Sequence, residues 1–555
     1  MSEVKISEFH TCIYLPPCIG YRVPGIPGKL PCELVDVDTF SFLQSRSEPW
    51  KSCRQQRMMK KGKRRADDDD DNDEEEGYGD GDGERRQRRR RRDEEEEDEE
   101  DEGFDERDGG GSEDSDDSKA EDEEAFFVAC AEGRLEDVER MHAEGIANAA
   151  ISVEEGDAAL TALVDEEGDT PLGVACRFGH LNVAEWLVAR GAPVGAANAA
   201  GETPLHEACL HGDLALVQWL LGQPGLSDNA AERERRNAQG MAPIGFASLH
   251  GHTPIVRALA ARGASTGVLD QEGHTLLHLA CSNGHMDTAR ALVELGSPTT
   301  ALDAAGRSAF HVACGSGHLE VATWLRDACA LPIDAADGAG ATPLHYASAA
   351  GHDAVCEWLL DVGAIATRAN DDGNTPLHYA CQAGSLAMTE RLLGAGAAHS
   401  ATNADGDTPF LLACFGGHLP VAQRLHALGE RPDQANTLGC HALLQACASS
   451  QLAVAAWLLP LAPSLLERAD TTGWTPLRLC AESGHAEMGE WLLHQGAIPT
   501  EEDVKAAKRS GCSALYKVLK RARKAQPTGG GSSLKAKAAA SPEGGSSATR
   551  NGEGA

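Results

Sequence analysis

The stretch that decides the fold reads Gly373-Asn374-Thr375-Pro376-Leu377-His378-Tyr379-Ala380-Cys381. Thr375 has the side chain of a helix N-cap, and Pro376 at the first helical position has no amide that would need a partner. Gly384 is expected to end this helix, and a second helix is predicted from about Leu386 to Leu393, where apolar residues recur at helical spacing. A helix pair this short cannot bury its apolar face alone, so each unit must stack on its neighbours.

The same pattern recurs with starts 33 or 34 residues apart, except for one interval of 39. The ten starts are Gly168, Gly201, Gly240, Gly273, Gly306, Gly340, Gly373, Gly406, Gly439 and Gly473. This unit resembles the ankyrin repeat, and recurrence in phase makes the match specific. The resemblance implies an all-α solenoid of stacked helix-turn-helix units, with projecting β-hairpin loops and a concave face of inner helices and loop tips.

The regions that flank the repeats differ from them in composition. Residues 67–124 hold 9 bases and 33 acids, which is a net charge of −24 out of −37 for the whole chain. Such a segment buries too little apolar surface to fold. The predicted organisation is a disordered, mixed-charge region at 1–124, a degenerate N-terminal repeat plus an insertion at 125–167, ten repeats at 168–500, capping helices at 501–525 and a disordered Gly/Ser/Ala tail at 526–555.

Composition and motifs argue against several classes of protein. No run approaches the roughly 20 apolar residues of a membrane helix, and the polar start lacks the pattern of a leader, so a cytoplasmic or nuclear location is expected. The 17 cysteines are an odd number in a long chain, which favours reduced thiols. No phosphate-binding loop, His-Glu-x-x-His or Gly-x-Ser-x-Gly motif is present, so we expect no enzymatic activity and no cofactor.

Histidines and cysteines recur at fixed positions of the repeat. One histidine slot, that of His378, follows the repeat leucine, and another follows the helix-ending glycine, as at His418. The family resemblance implies that these histidines hydrogen-bond between neighbouring repeats, so no metal site is expected. Cysteines after the repeated alanine, such as Cys381, are interpreted as small buried thiols. Unstructured thiols are favoured over a zinc or disulfide site for the early set Cys12, Cys18, Cys32 and Cys53.

Most of the tryptophans share one slot of the second helix. They are Trp186, Trp219, Trp324, Trp358, Trp457 and Trp491. A stripe at helical spacing is usually packing, so a seam between repeats is favoured, with an exposed aromatic ladder as the alternative. Trp474 differs because it directly follows a repeat glycine, near the hairpin, where a side chain can face a partner.

Two units depart from the pattern. Ala242 and His441 stand where the N-cap threonine is expected, and six extra residues precede Gly240. We expect these two units to be weaker, with local fraying, and the extra residues around Asp228 to Arg236 to bulge from the stack.

The resemblance also implies where a partner would bind: the two positions before the repeat glycine, the one after it, and the last two before the helix-ending glycine. In this sequence those positions include Glu166, Glu167, Asp169, Arg177, Phe178, Glu202, Leu210, His211, Met241, Leu249, His250, Asp371, Asp372, Asn374, Asp407, Phe415 and Trp474. Acidic residues mixed with aromatic ones favour a basic or amphipathic segment of another protein as the partner of a monomeric chain. The alternative is that many of them line a solvated groove.

A second function class is also compatible with the sequence. In it the chain is a nuclear, acidic, chaperone-like factor whose residues 67–124, with runs such as Asp93–Glu102, bind basic proteins. The candidate import signal is the basic peptide of Lys60, Lys61, Lys63, Arg64 and Arg65. Nucleic-acid binding is not favoured, because the dense acid around the basic runs competes with phosphate for them.

Overall fold

The computed structural model describes residues 123–144 and 163–525, except Glu166 and Val268. The first helices of the repeats are Pro171–Arg177, Pro204–His211, Pro243–Leu249, Leu276–Ser282, Ala309–Gly315, Pro343–Ala349, Pro376–Ala383, Pro409–Gly416, Ala442–Ala448 and Pro476–Ser483. The second helices are Leu181–Ala189, Leu214–Leu220, Thr253–Ala261, Met286–Glu294, Leu319–Cys329, Asp353–Asp361, Leu386–Gly394, Leu419–Ala427, Leu452–Leu461 and Ala486–His494. An opening pair lies at 123–131 and Leu135–Ala143, and a closing pair at Glu501–Arg509 and Ser513–Ala525.

A threonine and a histidine hold the start of the first helix in the repeat that begins at Gly373. His378 Nδ1 accepts a hydrogen bond from the Thr375 amide at 3.0 Å and lies 2.9 Å from Thr375 Oγ1. Pro376 follows at the first helical position, where its missing N–H costs nothing. Gly384 ends the helix in the left-handed region, at φ 84°, as predicted. The second helix runs one residue beyond its predicted end.

The repeat histidines also join neighbouring repeats. Burial lowers the pKa of His378 to about 4, so its ring is neutral at pH 7 and carries one donor and one acceptor. Because Nδ1 accepts from the Thr375 amide, Nε2 donates to the carbonyl of Asp407 in the next repeat, at 3.2 Å. His418 bonds in the opposite direction, with Nε2 2.8 Å from the carbonyl of Gln382. The hydrogen bonds that the family resemblance implied are confirmed.

We call the contact between consecutive repeats a seam. Across the seams, first helices pack on first helices and second helices on second helices. In the repeat at Gly373 the side chains of Leu377, Cys381 and Leu392 are fully buried. Burial raises the pKa of the Cys381 thiol to about 12, so it stays protonated and packs as a small apolar group. The expected all-α fold of stacked helix pairs is confirmed.

The tryptophan slot of the second helix faces the seam at several repeats. Trp186 is 8% exposed. Trp358 packs edge to face on Phe310 of the preceding repeat, with ring centroids 6.2 Å apart, and Trp457 does the same with Phe410 at 6.4 Å. For these three residues the predicted packing at a seam between repeats is confirmed, and the alternative of an exposed aromatic ladder is not.

The loops between repeats form hairpins that bond to one another. Asn370 Oδ1 accepts the Asn374 amide at 2.8 Å, which closes the turn. The amide of Ala404 then donates to the carbonyl of Asp372 in the previous hairpin, at 2.7 Å. Gly373 has φ 77°, in the left-handed region, and a Cβ there would lie 3.1 Å from that amide nitrogen, so both the backbone conformation and the close approach favour glycine. The corresponding donor–acceptor pairs elsewhere are Ala199–Glu167, Ala238–Ala200, Gln271–Gln239, Ala304–Glu272, Gly338–Ala305, Asp371–Ala339, Thr437–Asp405 and Thr471–Leu438.

The insertion ahead of Gly240 is tied to the repeats on either side. It contains the short helix Ala230–Arg233. Arg235 Nη1 donates to the carbonyl of Gly195 at 3.0 Å, and Glu234 Oε1 accepts the amide of Ser265 at 2.7 Å. Hydrogen bonds from the side chains of the insertion therefore connect it to both neighbouring repeats.

The two repeats that lack the cap threonine differ from each other. Ala242 makes no side-chain cap, so the repeat at Gly240 has lost that bond. His441 takes the place of threonine: its Nδ1 accepts the Leu444 amide at 3.4 Å, and its Nε2 reaches the carbonyl of Arg468 at 3.1 Å. The repeat at Gly439 thus keeps a cap and a seam bond. Local fraying of either repeat stays a prediction.

Candidate protein-interaction surface

The outermost residues of the hairpins form a row that we call the hairpin-tip row: the two positions before each repeat glycine. Its acidic members in the described residues are Glu167, Glu272, Asp371, Asp372 and Asp405. Asp372 is half-buried and the other four are exposed. In the described part of the chain no Lys or Arg occupies these positions. Because the tips project together, the row presents a negative potential.

Two of the predicted contact residues are instead part of a buried ion triad at the seam between the repeats at Gly168 and Gly201, which we call the first seam. Arg177 donates to Glu207 through Nε at 2.9 Å and Nη2 at 2.6 Å, and its Nη1 lies 2.5 Å from Asp169 Oδ2. Asp169 is 1% exposed and Glu207 3%. Burial raises the pKa of Glu207 to about 7, and Arg177 opposes that rise. Arg177 and Asp169 therefore serve the fold, and Glu207 was missed by the sequence analysis.

The position after the repeat glycine is also used within the stack. Its side chain pairs with the turn residue of the next hairpin. The pairs are Asp169 with Asn198, Glu202 with Asn237, Asn374 with Asn403 and Asp407 with Asn436, with nitrogen-to-oxygen distances of 2.7, 3.4, 3.0 and 2.8 Å. Burial raises the pKa of Asp407, and the bond from Asn436 opposes the rise. Predicted contact residues at this position thus hold neighbouring hairpins together.

A second charged network lies at the seam between the repeats at Gly273 and Gly306. His274 Nδ1 lies 2.9 Å from Asp270 Oδ2, and Arg307 Nε donates to Asp303 Oδ2 at 2.6 Å. Arg307 Nη2 lies 3.0 Å from His274 Nε2, which joins the two hairpins. The sequence carried a signal for this network, because His274 and Arg307 occupy the same slot as Asp169 and Asp407.

The remaining predicted contact residues divide by burial. Met241 is 4% exposed and Leu249 2%, so both belong to the core. The half-buried or exposed ones are Phe178, Leu210, His211, His250, Phe415 and Trp474, together with the tips Glu167, Asp371 and Asp372. The His211 ring of the next repeat fills the space beside Gly179, where a Cβ would collide with it.

Trp474 lies beside a small charged cluster. The guanidinium carbon of Arg478 is 5.8 Å from the centroid of its ring. Arg478 and Arg509 both approach Glu482, the former at 3.7 Å. Trp474 is half-buried.

One group of acidic side chains has ligand atoms close enough for a cation: Asp165, Glu167 and Asp169, all within 4.8 Å. Two of them already have partners. Asp169 is paired with Arg177 and Asn198, and Asp165 Oδ1 accepts the amides of Glu167 and Asp169 at 3.0 and 2.8 Å. The turn and the ion triad therefore account for the short distances between these carboxylates.

Stacked helix pairs with hydrogen-bonded hairpins define a class of helical repeat proteins. The chain matches the family model of ankyrin repeats (3 copies) over residues 126–231, 244–335, 329–403 and 410–503, which is more than half of its length. The chain belongs to the ankyrin-repeat family. Ankyrin repeats are generally protein–protein interaction modules. A comparison with curated proteins finds no match.

Several predictions lie outside the described residues: Glu166, the import signal of Lys60, Lys61, Lys63, Arg64 and Arg65, the early cysteines, and nearly all of the acidic block 67–124. Within the described ranges, no helix is both long and apolar enough to span a membrane.

Proposed function

We propose that the chain is a non-catalytic scaffold or adaptor that binds a basic or amphipathic segment of another protein along the hairpin tips and the adjoining ends of the first helices. The single observation that carries the proposal is the charge of the hairpin-tip row, which has five carboxylates and no base among the described residues. A row of one sign steers and orients a partner of the opposite sign.

Apolar anchors lie next to the row. Phe178, Leu210 and Phe415 are half-buried; Leu210 and Phe415 lie in the last turn of their first helices, and Phe178 directly follows the end of its own. Binding energy in such interfaces is concentrated in a few aromatic or aliphatic anchors. An amphipathic segment could place its basic side chains on the tips and its apolar side chains on these anchors.

The first test uses three full-length baits and compares the proteins that they retain. One is the wild type. The tip variant carries Glu272→Gln, Asp371→Asn, Asp372→Asn and Asp405→Asn. The control carries Asp287→Asn, Glu320→Gln, Glu357→Gln and Glu487→Gln, which remove four exposed acids from the second helices. We expect the tip variant to retain its partners at least about tenfold less than the other two baits. Equal retention by all three would contradict the proposal.

A second test addresses the anchors. Phe178→Ala and Phe415→Ala together should weaken the captured complex by about tenfold or more, with little change in its salt dependence, because they remove apolar contact rather than charge. Leu249 is not substituted in this test. It is buried, so its replacement would lower the stability of the fold as well as any binding. Undiminished binding would show that partners use another face.

The alternative function, an acidic chaperone-like factor, rests on the net charge of −24 over residues 67–124. Deletion of residues 1–122 leaves the described helices complete and separates the two functions. A scaffold keeps its partners after the deletion. An acidic factor loses them, and its binding falls steeply with salt. The same deletion removes the candidate import signal, so a nuclear fraction of the wild type should shift to the cytoplasm.

A further inference from the structure

The two helix pairs that flank the repeats carry opposite charge. The opening pair, residues 123–144, has 7 acids and 2 bases, and the closing pair, residues 501–525, has 8 bases and 3 acids, so their net charges are −5 and +5. Between Lys119 and Lys505 the chain contains no lysine, whereas the closing pair contains five. A soluble cap needs charge, but solubility does not require opposite signs at the two pairs.

Among the described residues, five of the closing pair's eight bases have no carboxylate within ion-pair distance; one of the five, Lys520, donates to the Tyr516 hydroxyl at 3.2 Å. Lys505, Arg509 and Arg523 are paired with glutamates. No carboxylate of the described residues lies within ion-pair distance of the exposed bases Lys508, Lys517, Arg521 and Lys524. In a chain with 87 acids and 50 bases, unpaired cations collected on one surface need an explanation.

These cations lie on one face of a helix whose other face is occupied. Lys517, Arg521 and Lys524 are four and three residues apart on Ser513–Ala525, so their side chains share a face. On the opposite side Leu515 and Leu519 are fully buried against the stack. The helix therefore has no apolar face left to enter a lipid surface.

The opening pair carries the complementary pattern. On the helix Leu135–Ala143, Glu136 and Glu139 are exposed and three residues apart. The ion pairs of this helix involve other residues: Arg134 and Arg140 bind Glu132, Asp137 and Glu144. Among the described residues neither Glu136 nor Glu139 has an ion-pair partner, so both can meet an external cation.

Both charged helices lie in the layer of second helices. Leu135–Ala143 packs on Leu181–Ala189, and Ser513–Ala525 packs on Ala486–His494. In a head-to-tail stack of two copies, the same layer would continue, and the basic helix of one copy would meet the acidic helix of the next. We propose that the closing pair of one copy docks on the opening pair of a second copy. This contact is heterologous, because each copy contributes a different surface.

Two other occupants fit the closing pair less well. Its one aromatic residue, Tyr516, is half-buried, and Lys520 Nζ lies 5.3 Å from the ring centroid, so less of the ring is available for stacking on bases. A long polyanion would also meet Glu482, Glu501 and Glu502 beside the cations. The proposed self-association differs from the monomer that the sequence leads us to expect, and it leaves the hairpin-tip row free.

The experiment is a charge swap in the full-length chain, followed by sedimentation velocity over a range of concentrations. The closing variant carries Lys508→Glu, Lys517→Glu, Arg521→Glu and Lys524→Glu, and the opening variant carries Glu136→Lys and Glu139→Lys. The control carries Arg257→Glu, Arg391→Glu, Arg424→Glu and Arg431→Glu, which reverse four exposed arginines of the repeats. Circular dichroism confirms that each variant is folded.

At about 0.02 M salt we expect the wild type and the control to associate, and association should disappear at about 0.3 M. Each charge-reversal variant should raise the dissociation constant by about tenfold or more. An equimolar mixture of the two should associate again, because the reversed surfaces complement each other. The proposal is overturned by a wild type that stays monomeric, by a mixture that fails to associate, or by a control as impaired as the closing variant. A single-stranded oligonucleotide or an anionic vesicle that displaces the second copy would also overturn it.

Discussion

The seam between the repeats at Gly168 and Gly201 and the seam between those at Gly373 and Gly406 are built on the same slots with different chemistry. The first depends on the buried triad of Arg177 with Asp169 and Glu207. The second uses neutral groups: the amide of Asn403 and the ring of His378. The first seam has no equivalent of that histidine, because Gly173 occupies its position. Equal positions in a repeat therefore do not have equal electrostatics.

This difference has a functional meaning. Charged residues at positions where ankyrin proteins bind partners look like contact residues, yet at the first seam their charges are already neutralised inside the fold. Acids of the hairpin tips such as Asp371 and Asp405 are exposed. Burial, rather than position in the repeat, separates the charges that hold the stack from those that a partner can reach.

The largest effect is expected from Arg177→Met, which leaves two buried carboxylates without their cation. Removing one partner of a buried ion pair costs about 3–5 kcal/mol. The loss should be read by hydrogen exchange in residues 168–211, where exchange should rise sharply. The triple variant Arg177→Met, Asp169→Asn and Glu207→Gln should recover most of the protection. Unchanged exchange in the single variant would show that the triad is not stabilising.

Acidification should affect the two seams in opposite directions. The pKa of His378 is lowered from 6.5 to about 4. Its contribution to the stability of its seam is therefore present above pH 6.5 and is lost as pH falls toward 4. The pKa of Glu207 is raised from 4.5 to about 7. Its contribution to the stability of its seam is therefore present below pH 4.5 and is lost as pH rises through 7.

Between pH 7 and pH 5 the seam of His378 should therefore lose about 2 kcal/mol, while the seam of Glu207 should become more stable. Hydrogen exchange, corrected for its intrinsic pH dependence, measures both in one sample. His378→Gln serves as the control, because it should remove most of the pH response at its own seam. Parallel responses of the two seams would contradict this prediction.

A smaller loss of stability is expected when a hydrogen bond is removed from the seam between the repeats at Gly373 and Gly406, which uses neutral groups. Asn403→Ala removes one hydrogen bond to Asn374 and the acceptor that closes its own turn. The loss should be about 1 kcal/mol, because the groups left behind are uncharged and partly open to water. A loss as large as that of Arg177→Met would mean that charge is not what separates the two seams.

The smallest effect is a gain. Ala242 has the extended backbone of the N-caps, at φ −87° and ψ 164°, but no side-chain acceptor. Ala242→Thr should restore the cap and stabilise the repeat by about 0.5–1 kcal/mol, seen as slower exchange in residues 240–261. Ala242→Ser is a second route to the same bond. No gain from either would indicate that the insertion already compensates for the missing cap.

The sequence was sufficient for most of the repeated slots, but the slot after the repeat glycine was assigned to a partner and instead pairs neighbouring hairpins. The threonine and histidine slots, the glycines and the alanine–cysteine slot predicted the helix starts, the seam hydrogen bonds and the buried thiols, because each recurs with one physical role. Properties that belong to single repeats were not predictable. Arg177 and Glu207 are 30 residues apart, and their spacing does not show that they face each other. Arg235 reaches a backbone carbonyl, which leaves no signature in the sequence.

The absence of lysine between residues 119 and 505 has a practical consequence. A reagent that acylates primary amines has nothing to react with in any of the ten repeats, and in the described part of the chain it can modify only the lysines of the last two helices. Protein attached to a sensor surface or a dye through those amines would keep all of its hairpins unlabelled.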